Sequence, residues 1–245
     1  MNNLKISQVQ FTANQIPNLN SKSLEKNFNK VLKFKPHLIC TPECSNIITN
    51  DKNYLKKNAP YQNTCPVLKM AKNFAKKNKV NINLGSLLLK VKNQSKLVNR
   101  SFFIDQNGVI TKKYDKIHMF DVKINNIKLG MTICYDLRFP SLYRKLAKKD
   151  CSIVLVPAAF TRPTGKDHWE ILNRSRAIEN NVFIVATGMC GNHHMQRKTY
   201  GYSLLVDPWG KIVNSTRDKP SILNSTIKIM EVKKIRKKIP SLQYE

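Results

Sequence analysis

Leu129–Pro140 reads LGMTICYDLRFP. Leu129 to Tyr135 has the apolar, β-forming character of a buried strand, and Pro140 suits the first turn of a helix, where its missing N–H costs nothing. Leu142, Leu146 and Ala147 give that helix an apolar face, and Ile153 to Val156 supplies a second buried strand. Strand, helix, strand is a β-α-β unit. Working outward, Val80–Val91, Leu97–Ile104 and Val109–Tyr114 read as strands, the last two joined by a hairpin turn at Asp105-Gln106-Asn107-Gly108. Towards the N-terminus, Leu4–Phe11 alternates as a strand, and Leu24, Phe28, Val31 and Leu32 share a helical face. The short run His37–Cys40 stops at Thr41-Pro42-Glu43, which delivers Glu43 to a strand tip. A further helix starts near Thr64, with Pro66 in its first turn and Val67, Leu68, Ala71, Phe74 and Ala75 inward.

Beyond the opening unit, Asp167 followed by Glu170 has the spacing of a helix start ahead of Ile171, Leu172 and Ile178, and Val182–Ala186 is the next strand. Tyr200–Val206, the turn Asp207-Pro208-Trp209-Gly210 and Lys211–Val213 make a late hairpin. Ser221–Ile229 is one more strand, and a basic helix with Val232, Ile235 and Ile239 closes the chain. Alternating strands and helices with adjacent hairpins predict a layered α/β sandwich: two mixed sheets packed together with helices outside. No repeat, linker or composition break divides the 245 residues, so a single domain spanning 1–245 is expected.

Composition narrows the function classes. No apolar run approaches the roughly 20 residues that cross a bilayer, and the N-terminus lacks the pattern of a secretory signal, so a cytoplasmic protein without membrane partners is expected. Cys40, Cys44, Cys65, Cys134, Cys151 and Cys190 form no C-x-x-C pair and have no zinc-type spacing with the histidines; reduced thiols are expected, with neither disulfides nor metal. Lys and Arg number 43 against 15 Asp and Glu, a formal net charge of +28. Such a field attracts polyanions at low salt. The basic residues are mostly lysines scattered from end to end without an aromatic-interleaved motif, which reads as whole-chain bias rather than a nucleic-acid surface.

Chemistry centres on Cys134, which ends an apolar strand immediately before Tyr135-Asp136-Leu137-Arg138 and a helix start. A sharp strand-to-helix elbow exposes a nucleophile, whereas a free cysteine taken alone is most often a small buried hydrophobe. A thiol needs help to become a thiolate: an ammonium such as Lys116 lowers its pKa, and a carboxylate such as Glu43 takes and returns the proton. Both residues sit at predicted strand ends.

Gly130–Pro140 (GMTICYDLRFP), Thr41–Glu43 (TPE) and Tyr114–Val122 (YDKIHMFDV) together resemble the three ordered blocks of the nitrilase superfamily of carbon–nitrogen hydrolases. Similarity continues through Val156–Gly191 and Tyr200–Gly210, so it covers nearly the whole chain. The sequence is most similar to the Nit branch, which includes deaminated glutathione amidases and ω-amidases; His193 and His194 in GNHHMQRKTYGYS, which alone read as a solvated loop, are similar to the former. The resemblance implies a four-layer α-β-β-α sandwich, a homodimer or larger homo-oligomer, no metal or organic cofactor, and a small-molecule amide substrate. It makes Cys134 the nucleophile, Glu43 the general base and then acid, Lys116 the oxyanion stabiliser and the Tyr135 backbone N–H its second donor. Asp136 with Arg138, a structural pair, and Arg176 with Glu179 are supports.

The chain departs from that pattern between Lys116 and Cys134, where a loop carrying a Tyr-Arg-Glu-Ser stretch is usual. Here Val122 runs into Lys123-Ile124-Asn125-Asn126-Ile127-Lys128, and no glutamate matches. Asn125-Asn126 predicts a tight hairpin in its place. Tyr202 stands where relatives often have histidine, and Ser141 where glutamate is frequent. The leading expectation is an amidase for a small carboxylate-bearing amide; the alternative, motivated by the missing glutamate, is a catalytically weakened relative acting as a binding or scaffold protein.

Overall fold

Alternate residues of the central strands face different apolar layers, and this sets the architecture. The computed structural model describes residues 3–116 and 120–244, so positions 117–119 of the Tyr114–Val122 block lie outside it. The first part of the chain supplies β1 (Asn3–Gln10), α1 (Pro17–Val31), β2 (Leu38–Cys40), α2 (Lys52–Asn58), α3 (Pro66–Asn78), β3 (Asn81–Leu89), β4 (Val98–Ile104) and β5 (Ile110–Asp115). The rest supplies β6 (Phe120–Ile124), β7 (Ile127–Met131), α4 (Pro140–Lys148), β8 (Ile153–Ala158), α5 (Arg162–Thr164), α6 (Glu170–Asn180), β9 (Phe183–Gly188), β10 (Cys190–Asn192), β11 (Lys198–Tyr200), β12 (Leu204–Val206), β13 (Ile212–Ser215), β14 (Ser221–Lys228) and α7 (Met230–Lys238).

Two six-stranded mixed sheets result, in the orders β14-β1-β2-β3-β4-β5 and β13-β12-β9-β8-β7-β6, with a small β10-β11 ribbon beside them. Ile153 and Leu155 of β8 join Phe183 and Val185 of β9 in a cluster with Leu4, Ile6, Leu38 and Phe103 of the other sheet. Val154, Val156, Ile184 and Ala186 face the opposite way, onto Leu146 and Ala147 of α4 and Ala177 of α6. On the far side, Ile39, Ile82 and Leu84 pack on Leu24, Phe28, Val67, Ala71 and Phe74 of α1 and α3. Three apolar layers between helices, sheet, sheet and helices make the α-β-β-α sandwich expected from the sequence. Among the described residues no helix is long and apolar enough to cross a membrane.

The expected hairpin is present: β6 and β7 pair from Phe120↔Met131 to Ile124↔Ile127, and Asn125 turns the chain in the left-handed region at φ 52°. The start of α6 needs correction. The helix does not begin at Asp167; helical structure starts at Arg162, with Pro163 in its first turn, and widens through a π-turn at Gly165–Trp169 before α6. Gly165 permits this, since a Cβ there would stand 2.3 Å from the Tyr200 side chain. Ile171 and Ile178 face outward, 66% and 50% exposed, while Asn173, Arg176, Ala177 and Asn180 are buried. Asn173 and Asn180 donate from Nδ2 to Trp169 O and Arg176 O one turn earlier, and Arg176 donates from Nε to Leu137 O, so those donors are paired on a largely polar buried face.

Candidate active site

Glu43 stands just beyond β2 on a loop with little freedom. Thr41 Oγ1 accepts from Gly85 N at 3.1 Å, Ser45 Oγ donates to Pro42 O at 2.7 Å, and Cys44 N donates to Ser86 Oγ at 3.0 Å. The loop presses so closely on β3 that a Cβ on Gly85 would lie 2.0 Å from Thr41 O. The carboxylate is 5% exposed and held by three donors: Asn99 Nδ2 at 2.8 Å and Lys116 Nζ at 3.3 Å on Oε1, and Ala159 N at 2.9 Å on Oε2. A buried charge is tolerable only when paired and hydrogen-bonded in this way.

Lys116 follows the last residue of β5. Its backbone N–H donates to Asn99 O at 3.3 Å, and the preceding Asp115 is fixed by two bonds from Arg100, at 2.6 and 2.7 Å. Burial opposes the ammonium, but the charge of Glu43 and its hydrogen bond favour it, and the lysine stands above its ordinary pKa. It is therefore a fixed positive charge.

Cys134 occupies the elbow predicted for it. Its φ of 46° is unfavourable for a residue with a Cβ, and it separates extended Ile133 from the 3-10 turn Cys134–Arg138. The Asp136 carboxylate stabilises the bend by accepting from Ile133 N at 2.7 Å and from Tyr114 Oη at 2.5 Å. Asp136 is thus not the partner of Arg138 that the sequence suggested; Arg138 lies over the Tyr135 and Phe160 rings and reaches His168 Nδ1 at 3.2 Å. Arg176 and Glu179 do pair, at 3.0 Å.

The Cys134 thiol feels the charges of both Glu43 and Lys116, which act on it in opposite directions. Burial, then the Glu43 charge, push its pKa well above the ordinary cysteine value; Lys116 pulls it back only in part. The resting group is consequently a thiol with a carboxylate nearby to take its proton, not a preformed thiolate. Such a pair deprotonates as it attacks. Cys134 is partly exposed whereas Cys40, Cys44, Cys65, Cys151 and Cys190 are buried. Tyr135, next in the chain, turns its side chain outward onto Phe139.

Glu43, Lys116 and Cys134 are brought together by the ends of β2, β5 and β7. Sequence reading missed Asn99 and the Ala159 N–H. An interior strand asparagine in an Asn-rich chain carries no distinguishing mark, and a backbone donor carries none in any sequence. His193 and His194 are not a solvated loop. His193 is buried between Ala13 O and Thr199 Oγ1, at 2.9 and 2.7 Å, and His194 Nδ1 meets Thr49 Oγ1 at 2.8 Å. Among the described residues no group of three or more His, Cys, Asp and Glu side chains is placed to share a metal ion.

Residues 12–237 match the carbon–nitrogen hydrolase family. A deaminated glutathione amidase of Yersinia enterocolitica is 34% identical over all of this chain and 93% of its own length. One from Dictyostelium discoideum is 35% identical over 91% of this chain and 86% of its own. The crystal structure of Saccharomyces cerevisiae Nit3, a member of branch 10 of the nitrilase superfamily, superposes with a TM-score of 0.89 at 25% identity, covering 98% of this chain and 95% of that one.

Proposed function

The chain belongs to the carbon–nitrogen hydrolase family, and from that premise we propose that it is an amidase in which Cys134, Glu43 and Lys116 divide the work of acyl transfer. Cys134 Sγ attacks the amide carbonyl carbon while its proton passes to Glu43. Negative charge develops on the carbonyl oxygen, where the Lys116 ammonium and the Tyr135 N–H receive it. Collapse of the tetrahedral intermediate breaks the C–N bond, Glu43 returns the proton to the departing nitrogen, and ammonia leaves a thioester on Cys134. Water then attacks the thioester with Glu43 again as base, releasing a carboxylic acid and the free thiol.

The observation that carries this reading is the buried Glu43 carboxylate, which lies 3.3 Å from the Lys116 ammonium and whose charge acts on the Cys134 thiol. A binding or scaffold role would not require so costly a buried charge beside a partly exposed thiol. The substrate class is a small carboxylate-bearing amide, deaminated glutathione or an ω-amide, because the relatives named above act on the former. We take the enzyme to work in the cytoplasm as a homodimer or larger assembly. Ammonia release from a panel of ω-amides, deaminated glutathione included, tests the proposal with Cys134→Ala as control. Turnover is expected from the native protein and none from the variant; a variant that retains turnover would move the chemistry to another residue.

A further inference from the structure

Arg197 lies on the connection between β10 and β11, and its Nε is buried with no hydrogen-bond partner. Among the described residues no carboxylate forms an ion pair with it. Guanidinium groups cannot shed their charge, and a buried donor left unpaired is costly, so the arrangement asks for a ligand that supplies acceptors.

The ribbon carrying Arg197 is fastened to both loops that build the active site. Thr49 bridges His194 strand-fashion, and Asn50 Nδ2 donates to Met195 O at 3.1 Å, tying the ribbon to the segment that runs on from Glu43. Thr161 bridges Thr199, tying it to the segment that begins at Ala159. Met195 and Gln196 both turn in the left-handed region, at φ 55° and 56°, and His193 N donates to Arg197 O at 2.7 Å, which fixes the start of the side chain. The charge of Arg197 is felt at Cys44, the residue after Glu43. Glu43 is not its partner: the carboxylate pairs with Lys116 and accepts from Asn99 and Ala159.

We propose that Arg197 anchors the carboxylate of the substrate, through a planar guanidinium–carboxylate pair, while the amide carbonyl of the same molecule reaches Cys134. This makes Arg197 a specificity-determining residue and rests on the amidase reading for its substrate. Bidentate geometry is what distinguishes arginine from lysine in such a role.

Two probes separate this proposal from the amidase reading. Iodoacetylglycine and its neutral amide alkylate the same thiol by the same step: Cys134 Sγ forms the new S–C bond, iodide leaves, and the thiol proton goes to Glu43. They differ only in one distal charge. The ratio of the acid's rate to the neutral probe's is expected to fall about tenfold in Arg197→Gln, and in Arg197→Lys by a smaller factor, because charge is kept and the fork lost. An unchanged ratio in the two variants overturns the proposal, whether or not the absolute rates fall. The amide assay adds a split in kinetic constants: in Arg197→Lys, KM for the monoamide of a dicarboxylic acid should rise relative to KM for its methyl ester, with the kcat ratio kept. If no amide is hydrolysed by the native protein, the amidase reading fails while the alkylation ratio still decides the role of Arg197.

Discussion

At the scale of single residues, the site depends on a conflict between two charges. Glu43 raises the Cys134 thiol and Lys116 lowers it. Glu43→Gln removes one side of that conflict and leaves the other. Turnover should fall by at least about 10²-fold, the usual worth of a positioned base. The thiol, now facing Lys116 without the carboxylate, should ionise at lower pH, so its alkylation by iodoacetamide at neutral pH should become faster. The sign is the test. In the native protein alkylation climbs only as pH rises through a pKa above the ordinary cysteine value; in the variant the climb should come earlier. If alkylation slows together with turnover, Glu43 matters for holding the loop rather than for its charge. Asn99 acts through Glu43, donating to Oε1 at 2.8 Å. Asn99→Ala should therefore lower kcat about tenfold while leaving KM close to native, and equal changes in both constants would indicate a disturbed pocket instead.

At the scale of elements, β7, α4 and β8 were legible because an apolar strand, a proline-opened helix and a second apolar strand follow one another without ambiguity. The hairpin turns were legible for a chemical reason. Asp105 Oδ1 accepts from Asn107 N and Val109 N, and Asp207 Oδ1 accepts from Trp209 N and Lys211 N, all at 2.9 Å, so each turn is specified by one carboxylate and a later glycine. The misses share a cause as well. Helix α2 buries no residue and has no apolar stripe to read; its start is set by Asp51, whose side chain accepts from Tyr54 N at 2.9 Å. The β10–β11 ribbon is held by partners from distant segments, which local periodicity cannot show. In the site, Glu43, Lys116 and Cys134 were legible chiefly through the family motifs, whereas Asn99 and Arg197 depend on tertiary placement alone. The β6–β7 hairpin also revises where a relative's missing loop could be restored. Val122 and Lys123 are paired with Leu129 and Lys128, so an insertion between them would cut the ladder. The turn itself offers a sharper test. Asn125 sits at φ 52°, a region that costs a β-branched residue about 1–2 kcal/mol. Asn125→Val should lower Tm by about 2–4 °C for each of those kilocalories, and Asn125→Gly should not. Equal melting temperatures would show that the connection does not depend on that conformation.

At the scale of the whole molecule, the formal charge of +28 has to be reconciled with a catalytic pair, Lys116 and Glu43, whose charges cancel. Lys116 is matched by Glu43 within 3.3 Å, so the surplus lies elsewhere and acts on a ligand from a distance. A diffuse field of this kind raises the encounter rate of anions without altering the chemical step. It is also screened: the Debye length falls from about 30 Å at 0.01 M salt to about 8 Å at 0.15 M. For a carboxylate-bearing amide, kcat/KM should therefore drop several-fold over that range while kcat stays level, and for the corresponding neutral ester neither constant should move comparably. The contact with Arg197 is short-range and should survive the same change, so the preference for acid over ester should shrink with salt in the native protein but not vanish. In Arg197→Lys the remaining preference at 0.15 M should fall further, since what is left there comes from the contact and not from the field. A preference that disappears entirely at 0.15 M in the native protein would assign the discrimination to net charge alone. One that ignores salt throughout would leave the lysine-rich surface with no part in capture.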